Sequence, residues 1–165
     1  TWVFAHERSD WGVIVSNWGL GGGNTVGQFR LGLFGDSGVL QIEVRQPDRT
    51  VVDLREGRDS PLPLQSWQHV AFVADGETLC LYRNGDVVAQ APCKGVLSEP
   101  DIKVMGIGVK PRGDDNFTPA HFAGFWHGLI DELAIYDRAL SADLVRRLSN
   151  IEKAPPTTED TIHVN

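Results

Sequence analysis

Gly128-Leu129-Ile130-Asp131-Glu132-Leu133-Ala134-Ile135-Tyr136-Asp137-Arg138-Ala139-Leu140 is the stretch that decides the fold. Leu129, Asp131, Leu133 and Ile135 alternate with Ile130, Glu132 and Ala134, the two-residue period of a strand, so a strand is expected over 128–136. A helix is expected next, from Ser141 to about Asn150. Ser141 can cap its first turn, Asp143 suits the positive end of the helix dipole, and Arg146 and Arg147 suit the negative end. Leu140, Leu144 and Leu148 recur at helical spacing and supply a face to pack on a sheet. Working outward, Trp67-Gln68-His69-Val70-Ala71-Phe72 reads as another strand. Leu81-Tyr82-Arg83-Asn84-Gly85 reads as the first arm and turn of a hairpin, because Asn-Gly tolerates the two positive φ angles of a type I′ turn.

The same alternation runs through most of the chain. Phe29, Leu31 and Leu33 alternate with Gln28, Arg30 and Gly32, and Leu40, Ile42 and Val44 with Gln41, Glu43 and Arg45. Each run can bury one face and wet the other, as half-covered antiparallel sheets do. Further strands are expected at 2–6, 11–17, 51–55, 66–74, 78–83, 86–90 and 102–108. Gly21-Gly22-Gly23-Asn24, Gly35-Asp36, Gln46-Pro47-Asp48, Asp75-Gly76 and Gly113-Asp114-Asp115-Asn116 supply turn chemistry between them. Many short strands with frequent turns and one helix predict an all-β fold, a two-sheet antiparallel β-sandwich with one short C-terminal helix. The sandwich is expected over 1–150. Residues 151–165, with Pro155-Pro156 among small polar residues, read as a linker or tail.

A chain of 165 residues is the size of one domain and needs neither metal nor disulfide to hold a core. Lys and Arg number 15 against 22 Asp and Glu, a net charge of −7, and such a surface repels nucleic-acid backbones. No apolar run is long enough to cross a bilayer as a helix, so membrane insertion is not expected, and no export signal opens the sequence. The first residues, Thr1-Trp2-Val3, already have strand character. The chain is therefore expected to be a fragment or module of a longer protein, with that protein's other domains as partners. The Asn84-Gly85 turn pairs Arg83 with Asp86 and Cys80 with Ala89. A Cys80–Cys93 bridge would need the return strand to curl back around Ala91-Pro92, so two thiols are the expected case.

Trp67-Gln68-His69-Val70-Ala71, Leu81-Tyr82-Arg83-Asn84-Gly85, Trp126-His127-Gly128-Leu129-Ile130-Asp131-Glu132 and Tyr136-Asp137-Arg138-Ala139-Leu140-Ser141 occur in that order. Taken together, they resemble the laminin-G-like, concanavalin A-like lectin and glucanase superfamily in its bacterial jelly-roll form. The resemblance covers most of 1–150. It implies a carbohydrate-binding, non-catalytic module with polysaccharide or glycan as its partner, in an extracellular or periplasmic protein. A structural or protein-interaction spacer without a glycan ligand is the alternative, and a glucanase-type hydrolase is the third. It also implies that a strand usually precedes the segment at Thr1-Trp2-Val3. That strand either lies outside this chain or leaves the sheet edge beside 128–136 unpaired.

Catalysis has a concrete test. Glucanases of this fold carry Glu-x-Asp-x-x-Glu on one strand, and retaining hydrolysis needs two carboxyls about 5–5.5 Å apart. The only Glu-x-Asp here is Glu99-Pro100-Asp101, with Val104 where the second Glu belongs and a proline that disfavours a central strand. Other catalytic motifs, such as Gly-x-Ser-x-Gly, a P-loop or His-Glu-x-x-His, are absent.

For glycan contact, Trp11 and Trp18 bracket a short strand beside the Gly19–Asn24 loop, whereas Trp67 and Trp126 are expected in the core. Arg30, Gln41, Glu43 and Arg45 share the polar strand faces and could hydrogen-bond hydroxyls. Asp131 is expected within an apolar row, where an uncompensated carboxylate is costly. The resemblance implies a structural Ca²⁺ there, held with backbone carbonyls. Asp114 and Asp115 form a weaker, oxygen-rich calcium candidate.

Overall fold

The computed structural model describes residues 1–18, 27–98, 104–111, 124–151 and 153. Among these, ten strands form two five-stranded antiparallel sheets, and one helix follows them. The strands are β1 (Trp2–Ala5), β2 (Val13–Ser16), β3 (Phe29–Phe34), β4 (Val39–Arg45), β5 (Val51–Arg55), β6 (Trp67–Ala74), β7 (Thr78–Arg83), β8 (Asp86–Pro92), β9 (Gly106–Ile107) and β10 (Gly128–Asp131). The helix is α1 (Ala142–Ser149). One sheet has the order β10-β1-β6-β7-β8 and the other β5-β4-β3-β2-β9. This is the expected sandwich.

The core forms where the apolar phases of the two sheets meet. Val3, Ala5, Val70, Leu79 and Leu81 from the first sheet pack against Ile14, Leu31, Leu33, Leu40, Ile42, Val44 and Leu54 from the second. Each fully buried aliphatic side chain contributes roughly 1.5–3 kcal/mol relative to exposure, so the alternation read from the sequence is also the energetic basis of the fold. At one edge the layers are also joined by charge: Arg83 Nη2 lies 2.7 Å from Glu56 Oε1, and Glu56 is buried.

The closing segment departs from expectation. β10 ends at Asp131, opposite Trp2, instead of running on to Tyr136. Its ladder stops where β1 stops, and Glu132 turns the chain with a φ of 50°. Leu133 still packs against the core, but Ile135 is 60% exposed. Asp131 is thus an exposed residue at a strand end and not part of a buried apolar row.

Two smaller expectations also need correction. A bulge between Leu81 and Tyr82 shifts the β7–β8 register, so that Cys80 faces Gln90 instead of Ala89. β8 runs on to Pro92, and both cysteines are free thiols. The Ser141 hydroxyl caps α1, accepting from the Leu144 N–H at 3.3 Å, but Val145, not the leucines, is the residue the helix buries fully. Of the strand expected over 102–108, only Gly106–Ile107 pairs as β9; 104, 105 and 108 are not strand, and 102–103 lie outside the described residues.

Candidate functional site

The outward face of the β5-β4-β3-β2-β9 sheet gathers most of the side chains proposed for ligand contact. Antiparallel pairing sets Arg30 opposite Glu43 and Glu43 opposite Asp53, while Gly32 lies opposite Gln41 and Gln41 opposite Arg55. Residues paired across a ladder share a face, so the period that buries Leu31, Ile42 and Leu54 projects Arg30, Glu43 and Asp53 outward.

Gly32 is what lets Trp11 join this face. A Cβ at position 32 would lie 2.3 Å from the Gly12 carbonyl oxygen, so only glycine admits the 9–12 loop onto β3. The Leu33 N–H donates to that same oxygen at 2.7 Å, beside a register shift between Val13 and Val15. Trp11 itself has a φ of 55°, and its N–H donates to the Gly35 carbonyl at 3.2 Å. The indole ends 41% exposed, edge-on to Phe34 with ring centroids 5.1 Å apart. The Arg55 guanidinium lies 3.5 Å above the Phe34 ring centroid.

Beneath this rim lies a satisfied polar network. Arg30 is 2% exposed and donates to Gln41 Oε1 (2.7 Å), Glu43 Oε2 (3.2 Å), the Leu33 carbonyl (2.8 Å) and the Trp11 carbonyl (3.1 Å). Burial pulls its guanidinium below the ordinary arginine range, and the Glu43 carboxylate opposes that shift. Gln41 passes the network on, donating from Nε2 to Asp53 Oδ1 at 2.8 Å, and Asp53 also accepts from Arg55 Nε at 3.0 Å. Lys110 is depressed chiefly by burial and next by the nearby Arg30 charge, with Glu43 acting the other way.

The predicted residues therefore divide by accessibility. Trp11 and the partly exposed Glu43 face solvent, whereas Arg30 and Gln41 form the floor. Trp18 is 4% exposed and lies against the buried Arg45, whose guanidinium carbon is 4.4 Å from its ring centroid. Sequence reasoning missed Phe34, Asp53 and Arg55. The alternation of Val51, Asp53 and Arg55 with Val52 and Leu54 carries the signal for the last two, since it puts them in phase with Glu43 and Gln41.

Of the two large aromatics expected in the core, Trp126 packs against it and donates from Nε1 to the Leu129 carbonyl at 3.2 Å. Trp67 instead lies on the outer face of the other sheet, paired with Phe4.

Asp131 lies away from the polar face. Its Oδ2 is 2.7 Å from Lys153 Nζ, and its Oδ1 accepts from the Glu132 N–H at 2.8 Å. The bond from Lys153 is the main reason its carboxyl is held below the usual range. A cation at this carboxylate would have to displace the lysine ammonium, so the donor set as folded does not fit calcium. No cluster of three or more His, Cys, Asp or Glu side chains suited to a metal occurs among the described residues. Asp114, Asp115 and Glu99-Pro100-Asp101 lie outside them.

Two stacked antiparallel sheets, one with a polar outer face and the other carrying a helix, define a lectin-type jelly-roll sandwich. The chain belongs to the concanavalin A-like lectin/glucanases superfamily, whose sequence profile matches residues 1–146. No curated protein sequence matches it. Among solved structures, it is similar to the CBM40 of a Ruminococcus gnavus IT-sialidase bound to α2,3-sialyllactose. That match has 18% identity and a TM-score of 0.64, and covers 90% of this chain and 79% of that one. Domain 4 of a GH43 extracellular arabinanase from Geobacillus stearothermophilus, in complex with arabinotriose, matches at 16% identity and a TM-score of 0.54, covering 90% of this chain and 63% of that one. A Bacteroides ovatus protein matches at 18% identity and a TM-score of 0.63; the match covers 88% of this chain but only 38% of that one. At these identities the likeness establishes a shared fold.

Proposed function

We propose that this domain is a non-catalytic glycan-binding module of an extracellular or periplasmic protein, and that the Trp11 face receives the sugar. The observation that carries the reading is an indole held 41% exposed, by a left-handed backbone, at the rim of a hydrogen-bonding sheet face. A sugar ring presents C–H groups to an aromatic surface and hydroxyls to polar side chains. Trp11 and Phe34 offer the first kind of partner; Glu43, Asp53 and Arg55 offer the second. Relatives of the same fold bind sialyllactose and arabinotriose, which supports the assignment by analogy of fold only.

Glu43 and Asp53 face one another across β4 and β5, so hydrolysis has to be weighed. Hydrolysis needs one carboxyl free to meet the leaving-group oxygen and a second at the anomeric carbon. Arg30 binds Glu43 and Arg55 binds Asp53. Both carboxyls are engaged in these ion pairs on the sheet face, an arrangement that favours holding a sugar over cleaving one.

The spacer alternative draws on one observation of its own: Arg30, Gln41, Arg45 and Trp18 are buried, so much of this face is already covered. A glycan array probed with the wild type and with Trp11→Ala separates the two. The binding account expects retention on at least one glycan class and about a tenfold loss in the variant, the scale of one aromatic contact. No retention by the wild type, or equal retention by the variant, favours the spacer.

A further inference from the structure

A second, chemically different pocket lies on the opposite side of the sandwich, where the outer face of the β10-β1-β6-β7-β8 sheet meets the end of α1. Its volume is about 480 Å³, within the range of small-ligand sites. Trp2, Phe4 and Trp67 line one side. Phe4 meets Trp67 edge-to-face with centroids 5.5 Å apart, and Trp2 meets His69 in the same way at 5.3 Å. Trp2 and Phe4 are almost wholly buried, while Trp67 is half-buried and is the most exposed ring of the three.

Among the described residues the polar lining offers no free cation. The one cation there, Lys153, is bound by Asp131 Oδ2 at 2.7 Å and Glu132 Oε1 at 2.8 Å. Three groups keep hydrogen-bonding capacity among the described residues. The Asn150 side-chain amide has no partner. Gln65 Oε1 is open, its Nε2 donating to the His6 carbonyl at 3.1 Å. The Ser66 hydroxyl accepts from Gln68 Nε2 at 3.1 Å and keeps its own proton to donate. Gln65 also has a φ of 54°, which a residue with a side chain adopts only where its surroundings enforce it; such outliers gather at ligand sites.

We infer that this pocket binds one ring of a neutral pyranoside, stacked on Trp67 and hydrogen-bonded by Asn150, Gln65 and Ser66. The amide and hydroxyl groups suit sugar hydroxyls, and with Lys153 already held by two carboxylates a sugar carboxylate finds no counter-ion among the described residues. The Trp11 face differs in carrying guanidinium groups, and the two sites point to opposite sides of the domain.

The test is a titration of ¹⁵N-labelled protein with methyl β-D-glucopyranoside, methyl α-D-mannopyranoside and, as a charged probe, the methyl glycoside of N-acetylneuraminic acid. The indole N–H signals of Trp2 and Trp67 and the Asn150 amide should move together and saturably with a neutral glycoside, and should be indifferent to the charged one. Asn150→Ala, a surface change that keeps the wild-type spectrum, should weaken the response about fivefold, the scale of one hydrogen bond. Trp67→Ala should abolish it. Trp11→Ala should leave it intact, which separates this pocket from the site proposed above. The inference is overturned if neither neutral glycoside moves Trp2 and Trp67, if the charged probe moves them as strongly, or if Asn150→Ala binds like the wild type.

Discussion

Replacing Gly32 with alanine should displace Trp11 and destabilise the sandwich through a single methyl group. The added Cβ would stand 2.3 Å from the Gly12 carbonyl oxygen, a backbone atom, and 3.1 Å from Val13 Cα. Reaching even the 3.0 Å limit of real Cβ contacts means opening the loop by about 0.7 Å. That movement strains the 2.7 Å bond from the Leu33 N–H to Gly12, and it shifts the Trp11 carbonyl on which Arg30 Nη2 is anchored. Overpacking costs about 1–3 kcal/mol and a weakened buried hydrogen bond about 1 kcal/mol, so a loss of roughly 2–4 kcal/mol is expected. At about 2–4 °C per kcal/mol for a domain of this size, Tm should fall by about 10 °C. Urea unfolding gives the first number, and the Trp11 indole N–H shift reports the loop. A variant within about 0.5 kcal/mol of the wild type and with an unmoved Trp11 signal would refute the packing argument.

Three further outcomes follow from buried or paired charge. His69 is 4% exposed, and its pKa is pushed down to about 4, mainly by burial and next by the Thr1 ammonium. Since the unfolded chain takes up this proton near pH 6.5 and the folded one does not, His69 favours folding fully above that pH. Its contribution is lost as pH falls toward 4, by up to about 3 kcal/mol. His69→Gln should flatten that part of a stability–pH curve, and an unchanged slope would count against the assignment. Glu56→Ala strands the Arg83 guanidinium between the sheets and should cost about 3–5 kcal/mol in urea unfolding; a cost below 1 kcal/mol would show the pair to be dispensable. With the Asp131 carboxylate holding Lys153, calcium should leave Tm unchanged. A calcium-dependent rise that vanishes in Asp131→Asn would reinstate a metal there.

Much of this was legible in the sequence because burial in a sandwich follows the two-residue period. Leu31, Ile42 and Val44 face the core for the reason that Arg30, Glu43 and Arg45 project to the opposite face of the sheet, and Ser141 caps its helix as its chemistry suggests. What failed was set by tertiary partners. Nothing local in Glu132-Leu133-Ala134-Ile135 says that the ladder beside it ends at Trp2, so its alternation reads as a longer strand than the one that forms. Trp11 and Trp18 look alike in sequence, yet one is held at the rim by the gap at Gly32 and the other is spent on Arg45. Asp53 and Arg55 join the site only through the register of β5 on β4, which the run Val51–Arg55 does not encode by itself.

The most direct measurement is a chemical-shift titration of the wild-type protein with the strongest glycan from the array. The account predicts that the Trp11 indole N–H and the Arg55 Nε–H move together and saturate, with the buried Arg30 following. A glycan that binds while both signals stay still would contradict it.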